Sequence, residues 1–262
     1  PARAPPEAAG APRAAARGPR RPRSPTPPVA AAAAVALAEL WLRPGGGGPE
    51  GPAAAAALLQ PVATNLPPSP LAGRAWLGLG WAALAANDLP GAESAFTAAV
   101  TALPASPAQA VALFKAADVQ LALTNAPAAV SNLARLVDEH GETPEVRAGL
   151  LPRALYQLAA AAIAAGQGDV AGQAIARALE WFPEGEFRDA TLSLFGQQIA
   201  PLDGTGAARD LLERLVTTGT PSPAAGEIRL ALARSYLREG RWADARRNLE
   251  PLADAPPPLG AR

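Results

Sequence analysis

The 262-residue chain contains no cysteine, no methionine, a single histidine (His140) and a single lysine (Lys115). Without cysteine, these residues hold no disulfide, thiolate metal site, cysteine nucleophile or lipidated N-terminal cysteine. A single histidine leaves little with which to bind zinc or haem, so no metal or cofactor is expected. The absence of methionine even at position 1 is what a processed or partial chain would show, one from which a long N-terminal piece is missing. Aromatic residues make up only 5% of a chain that is 49% hydrophobic, and alanine supplies much of that apolar content. Alanine is the best helix former and a poor strand former, so the composition implies close-packed helices rather than sheet.

Long apolar runs are also scarce. Val29 to Leu42 reads VAAAAAVALAELWL, 14 residues interrupted by Glu39. That is too short and too polar to span a bilayer, and no membrane span is expected. Following RRPR, with Ala36-Leu37-Ala38 as a cleavage triplet, the run resembles a weak secretory signal core. The alternative reading makes it the first helix of a repeat, and the pattern downstream favours that reading.

Formal charge is zero overall but divides unevenly: residues 1–28 carry six arginines against Glu7, a net +5, and the remainder carries −5. A body of that sign is a poor nucleic-acid surface, and no nucleic-acid partner is expected. With nine prolines and no aromatic residue, residues 1–28 are expected to form a disordered segment, a solvated tail rather than an arm for acidic surfaces.

What the chain does contain is repetition. LPPSPLAG at Leu66–Gly73 returns as LPASPAQA at Leu103–Ala110 and as TPSPAAGE at Thr220–Glu227. Aligned on these boundaries, units start at Ala36, Gly73, Ala110, Pro152, Asp189 and Gly226. Position 20 of each unit is Ala55, Ala92, Ala129, Ala171, Ala208 and Ala245; position 24 is Leu59, Phe96, Leu133, Ile175, Leu212 and Leu249; position 27 is Val62, Ala99, Leu136, Ala178, Leu215 and Leu252. These three positions share one face of a helix, as i, i+4 and i+7 residues do. Position 32 is Pro67, Pro104, Gly141, Pro183, Thr220 and Pro257, a helix terminator in most units. Ser69, Ser106, Thr143 and Ser222 then fall where a side-chain oxygen caps the next helix, and Pro70, Pro107, Pro144 and Pro223 in its first turn, where a missing N–H costs nothing.

Trp76, Leu79, Gly80, Ala92, Phe96 and Pro104 of the second unit fit the pattern W-x2-L-G, A-x3-F, P, and Tyr236, Gly240, Trp242 and Ala245 repeat part of it. On these residues the chain resembles the tetratricopeptide repeat (TPR) proteins over about Val29 to Pro258. The resemblance implies an all-α solenoid of stacked antiparallel helix pairs in a right-handed superhelix, occupying residues 29–258 and followed by a tail at 259–262. The first unit (29–72) reads as a degenerate cap. The unit spacing is 37 residues where the family's is 34, and five extra residues between Thr143 and Leu155, including Pro152, predict a longer or kinked first helix there. The boundary motifs resemble those of bacterial envelope TPR proteins, which points weakly to the periplasm.

Catalytic motifs fare poorly. Gly78 to Ala83 matches G-x-G-x-x-A by letter but lies within a helical repeat with no strand before it, so helix packing explains it better than cofactor binding. Gly45 to Gly48 lacks the Lys-Ser/Thr of a phosphate loop and reads as a flexible turn. His140, at a helix end, reads as a protonated imidazole suited to the helix dipole. Glu184, Glu186 and Asp189 read as loop solvation and helix-start carboxylates. No enzyme is expected.

What remains is the groove. By family analogy, helix A of each unit lines a concave face, which supplies Arg74, Leu77, Trp81, Phe114, Asp118, Arg153, Tyr156, Gln197, Arg234 and Arg238 as partner-binding residues. Aromatics with arginines typify interface hot spots. An exposed Trp81 or Phe114 would be an anchor, whereas a covered one would be core. Leu77, Trp81, Phe114 and Asp118 stand where chaperone-tail receptors carry a basic residue and asparagine, which disfavours that ligand. The resulting reading is a non-enzymatic scaffold for a partner protein or peptide. The alternatives are a targeting arm of an enzyme whose catalytic part lies elsewhere, and a self-associating envelope scaffold.

Overall fold

A computed structural model describes residues 27–45, 48, 51–198, 206–218 and 223–253. Of the segment 1–28 expected to be disordered, residues 1–26 lie outside the described residues, while Pro27 and Pro28 open the first helix instead, where a missing N–H costs nothing; the cap at Ser222 and the C-terminal tail at 259–262 also lie outside the described residues. Among those described, the chain forms thirteen helices and no strand: α1 (Pro27–Trp41), α2 (Gly51–Asn65), α3 (Pro70–Ala85), α4 (Leu89–Ala102), α5 (Pro107–Ala122), α6 (Ala126–His140), α7 (Pro144–Gly149), α8 (Leu151–Ala164), α9 (Gly168–Trp181), α10 (Glu186–Gln198), α11 (Gly206–Thr218), α12 (Pro223–Arg238) and α13 (Trp242–Ala253). Every substantial contact joins helices no more than two apart along the chain. That arrangement is an α-solenoid, in which each helix pair buries its apolar face only against its neighbours.

Local sequence sets both ends of each helix. Ser69 and Ser106 are extended Ncap residues whose hydroxyls accept from Ala72 N–H and Gln109 N–H at 3.2 and 3.3 Å, with Pro70 and Pro107 opening the helices. Thr143 makes no such bond. Its backbone (φ −71°, ψ 120°) differs from that of Ser69 (φ −161°, ψ 160°). Turns within a pair share another device. Asn87, Thr124, Gly166 and Gly240 adopt left-handed φ of 58°, 61°, 71° and 71°. In each case the following N–H reaches back five residues, as in Asp88 N–H to Ala83 O (2.9 Å) and Asn125 N–H to Gln120 O (2.7 Å).

The repeat positions form the core. Ala55, Ala92, Ala129, Ala171 and Ala208 are completely buried, as are Leu59, Phe96, Leu133, Ile175 and Leu212. Position 27 holds less strictly, because Leu215 on α11 is 39% exposed. Small residues set the helix spacing. A Cβ on Gly78 would lie 2.6 Å from Leu59 on α2, and one on Gly80 would lie 2.5 Å from the Phe96 ring on α4. The G-x-G letters of α3 are therefore contact points for the helices on either side.

The five extra residues do more than kink a helix: they split it. Pro152 carries no N–H for the Ala148 carbonyl, so the segment breaks at Leu150 into a six-residue α7 and a separate α8. Nor is His140 a solvated cap. It is 2% exposed, with Nε2 3.1 Å from Gln109 Oε1. Gln109 Nε2 already donates to the Val100 and Leu103 carbonyls at 2.9 and 3.0 Å, which fixes its oxygen as acceptor and His140 Nε2 as donor. Burial pushes the imidazole pKa down; Glu139 pulls it up by less, and Arg135 pushes it down further, so the ring is held neutral rather than protonated.

Candidate functional site

The A-helix face is built from α3, α5, α8, α10 and α12. On α3, Trp81 is 37% exposed and meets Phe96 edge to face, with ring centres 5.9 Å apart at 87°. It also borders a groove of about 480 Å³ whose other walls are Trp41 at the end of α1, Leu42 and Arg43 in the turn after it and Pro52 at the start of α2, with Leu84 and Ala85 beside it. Half-buried Leu77 packs into the core. Arg74 is engaged: its Nε and Nη2 donate to the Glu39 carboxylate at 2.9 and 2.7 Å, clamping α3 to α1 and holding the guanidinium pKa above its usual range.

On α5 the expected aromatic anchor is absent from the surface. Phe114 is 2% exposed, and two cations crowd its ring: Lys115 Nζ at 5.3 Å and Arg153 at 5.2 Å from the centroid. Phe114 is therefore core. Lys115 also lies 5.2 Å from the Trp81 ring centre and 2.7 Å from Asp118 Oδ2. The second oxygen of Asp118 accepts from Gln157 Nε2 at 2.7 Å, and Gln157 Oε1 is shielded from solvent with no protein donor. A continuous set of cation–π, ionic and hydrogen-bond contacts thus joins α3, α5 and α8, with Arg153 exposed at its edge. Such contacts hold a face rigid, and a preorganised face loses less entropy on binding.

Further along, Tyr156 is half-buried against Phe187, ring centres 5.9 Å apart. Arg234 and Arg238 on α12 are exposed. Arg234 joins Asp189, Ser193, Glu227 and Leu230 around a second, smaller groove of about 190 Å³ between α10 and α12. The side chain of Gln197 lies outside the described residues. Trp81, Asp118 and Arg153 are thus linked across α3, α5 and α8, Arg234 and Arg238 lie farther along on α12, and Phe114 is core. Lys115 and Gln157 were missed; Lys115 was legible only as the single lysine of an arginine-rich chain.

The arrangement offers an apolar slot beside an exposed indole and flanking charges. Among the described residues no three His, Asp or Glu side chains converge as a metal ion requires.

Comparison with known proteins bears on the architecture. Residues 50–107 and 204–258 match the tetratricopeptide repeat model. The first matched stretch holds α2 to α4, with the Gly80–Phe96 contact, and the second holds α11 to α13. No curated protein matches the chain. Among solved structures, a single-substitution form of a candidate kinesin light chain from Podosopora anserina, with nearly identical TPR-like repeats, is 17% identical; the match covers 88% of this chain and 96% of that one at a TM-score of 0.48. A second structure of those repeats is 17% identical, covering 85% and 92% at a TM-score of 0.47.

Proposed function

We propose that this TPR-containing solenoid is a non-enzymatic scaffold that binds an extended segment of a partner protein along the concave, A-helix face. The observation that carries the reading is Trp81. An indole beside a groove of about 480 Å³, backed by Phe96 and flanked by Lys115, combines apolar area, fixed geometry and neighbouring charge. Those are the attributes of interface hot spots. The partner's apolar side chain occupies that groove, Arg153 takes an acidic or backbone oxygen near the middle, and Arg234 and Arg238 do the same at the far end. The net charge of −5 outside residues 1–28 favours protein over nucleic acid as ligand.

The repeats extend over residues 29–258 with units of about 37 residues, a reading supported by the left-handed residues Asn87 and Thr124, which stand 37 positions apart in equivalent turns. A bacterial origin with arginine used almost to the exclusion of lysine fits the composition.

Selection of linear peptides from a random display library by the immobilised chain tests the proposal. Trp81→Ala is expected to weaken the selected peptides by about thirtyfold, the loss of about 2 kcal/mol that defines a hot spot. Trp242, on the B-helix α13 and 68% exposed, is the control, and Trp242→Ala leaves binding unchanged. Peptides indifferent to Trp81 but dependent on Trp242 would place binding elsewhere.

A further inference from the structure

Where other units are joined by Ser-Pro or Thr-Pro, the chain between α9 and α10 reads Phe182-Pro183-Glu184-Gly185-Glu186-Phe187. Aligned by position, Gly185 stands where Ser69 and Ser106 cap their helices, and Glu184 and Glu186 flank it where those boundaries carry Pro68 and Pro70, or Ala105 and Pro107. Gly185 has φ 130°, a conformation that residues with a side chain rarely adopt, so a capping serine does not suit this turn. The departure meets a second one in space. The break at Leu150, which separates α7 from α8, borders the same pocket as the altered turn.

That pocket has a volume of about 190 Å³. Ligand and cofactor sites run to about 300–1,000 Å³, so this one has room for a single side chain. The break contributes Ala148, Gly149 and Pro152 to its lining, and the turn contributes Phe182, Glu184, Glu186 and Phe187. Its one cation is already engaged: Arg188, 15% exposed, pairs with Asp189 at 2.8 Å and Glu227 at 2.6 Å. Glu184 and Glu186 are exposed and make no ion pair or hydrogen bond among the described residues. Arg147, on α7, lies 5.2 and 5.9 Å from the ring centres of Trp181 and Phe182 and pairs with Glu142 at 3.4 Å. Two uncompensated carboxylates therefore share a pocket with two phenyl rings, one of which already takes a guanidinium from this chain.

We propose that this pocket receives an arginine side chain of a partner protein. A guanidinium stays charged, donates parallel N–H groups to carboxylates and stacks on aromatic rings, while its apolar stem suits Ala148 and Pro152. The ammonium of lysine is compact and more strongly hydrated, and gains less from the rings. Phe187 meets Tyr156 with ring centres 5.9 Å apart, which sets the pocket beside the A-helix face. It shares no lining residue with the Trp81 groove, so the two sites stand or fall separately.

NMR titration of the full 262-residue chain, isotope-labelled, with N-acetyl-arginine amide is the test. Shifts are expected at the Gly185, Phe187 and Thr191 amides, saturating with a Kd on the order of 1 mM, as suits a ligand of this size. N-acetyl-lysine amide should bind about threefold more weakly or worse. The pair Glu184→Gln with Glu186→Gln should weaken arginine binding by about tenfold or more. Ala148→Leu, which keeps every charge but adds bulk to the lining, should do the same. Glu93→Gln, a carboxylate on α4, leaves binding unchanged. Dispersion of the amide spectrum verifies folding; should Ala148→Leu fail to fold, the glutamate pair decides alone. Absence of saturable shifts at the α9–α10 turn overturns the proposal. So does binding that the glutamate pair leaves intact, that Glu93→Gln weakens equally, or that the lysine amide matches, since each of these is ordinary attraction to an acidic surface.

Discussion

Replacing Gly80 by alanine sets two opposed effects against each other, and the packing of α3 decides the sign. Alanine in a helix interior is favoured over glycine by about 1 kcal/mol. Against that, the added methyl would stand 2.5 Å from Cδ1 and Cε1 of Phe96 and 2.8 Å from Cζ. Phe96 has nowhere to retreat: it is completely buried and held edge to face with Trp81. Overpacking of this kind costs about 1–3 kcal/mol and usually moves backbone as well. Gly80→Ala is therefore expected to destabilise the protein by about 1 kcal/mol net, lowering the thermal midpoint by about 2–4 °C. Phe96→Leu alone should also destabilise, by opening a cavity, but combined with Gly80→Ala the two losses should not add. A double-mutant cycle by urea denaturation is expected to give a coupling of about 1 kcal/mol or more. If Gly80→Ala stabilises the protein by the amount helix propensity alone provides, α3 and α4 do not meet as described, and the packing account of the G-x-G letters is wrong.

Three further outcomes follow from single side chains. His140 is the only histidine, so its titration is one resolved NMR signal; its pKa should lie below the ordinary value of about 6.5. Because the native ring resists protonation, stability should be unaffected above that value. It should fall, by up to about 1.4 kcal/mol per pH unit, as pH drops from about 6.5 to the native pKa; a pKa at or above the ordinary value contradicts the burial argument. Thr124 holds a β-branched residue at φ 61°, and Thr124→Gly should stabilise by about 1 kcal/mol in urea denaturation, whereas loss of stability would mean the left-handed turn is not strained. Ser69→Ala and Ser106→Ala should each cost about 1 kcal/mol, and Thr143→Ala, which removes no cap bond, less than about 0.5; equal costs at all three sites would refute the capping assignment.

Much of the fold was legible because helix pairs repeat the same local problem. Alanine must sit where two helices cross, a large residue must fill the next turn, and serine with proline must restart the chain. Those demands wrote Ala92, Phe96, Ser69 and Pro70 into fixed positions. Local signals failed where tertiary packing overrode them. Pro61 does not end α2, because it lies on the exposed side while burial of Leu59, Val62 and Ala63 carries the helix past it. His140 reads as a surface cap because its partner, Gln109, lies 31 residues earlier in a helix of the same pair. For the A-helix face, spacing identified the face but not what covers it. Phe114 stands 37 residues after half-buried Leu77 and Trp81 stands 37 before Asp118, so the two rings occupy different places in the repeat, the first turned into the core and the second at its edge. The α7 break shows the same limit: Pro152 announced a disturbance, while its extent was set by Val146 and Leu151 packing in the core on either side of the break.

Among the described residues, burial passes from neighbour to neighbour along a line of helices, and native-state hydrogen exchange on Gly80→Ala tests that most directly. Protection is expected to fall in α2 to α5, which flank the altered contact, while α9, α12 and α13 keep their wild-type rates. A uniform loss of protection from α2 to α13 would contradict a solenoid and indicate a single cooperative core.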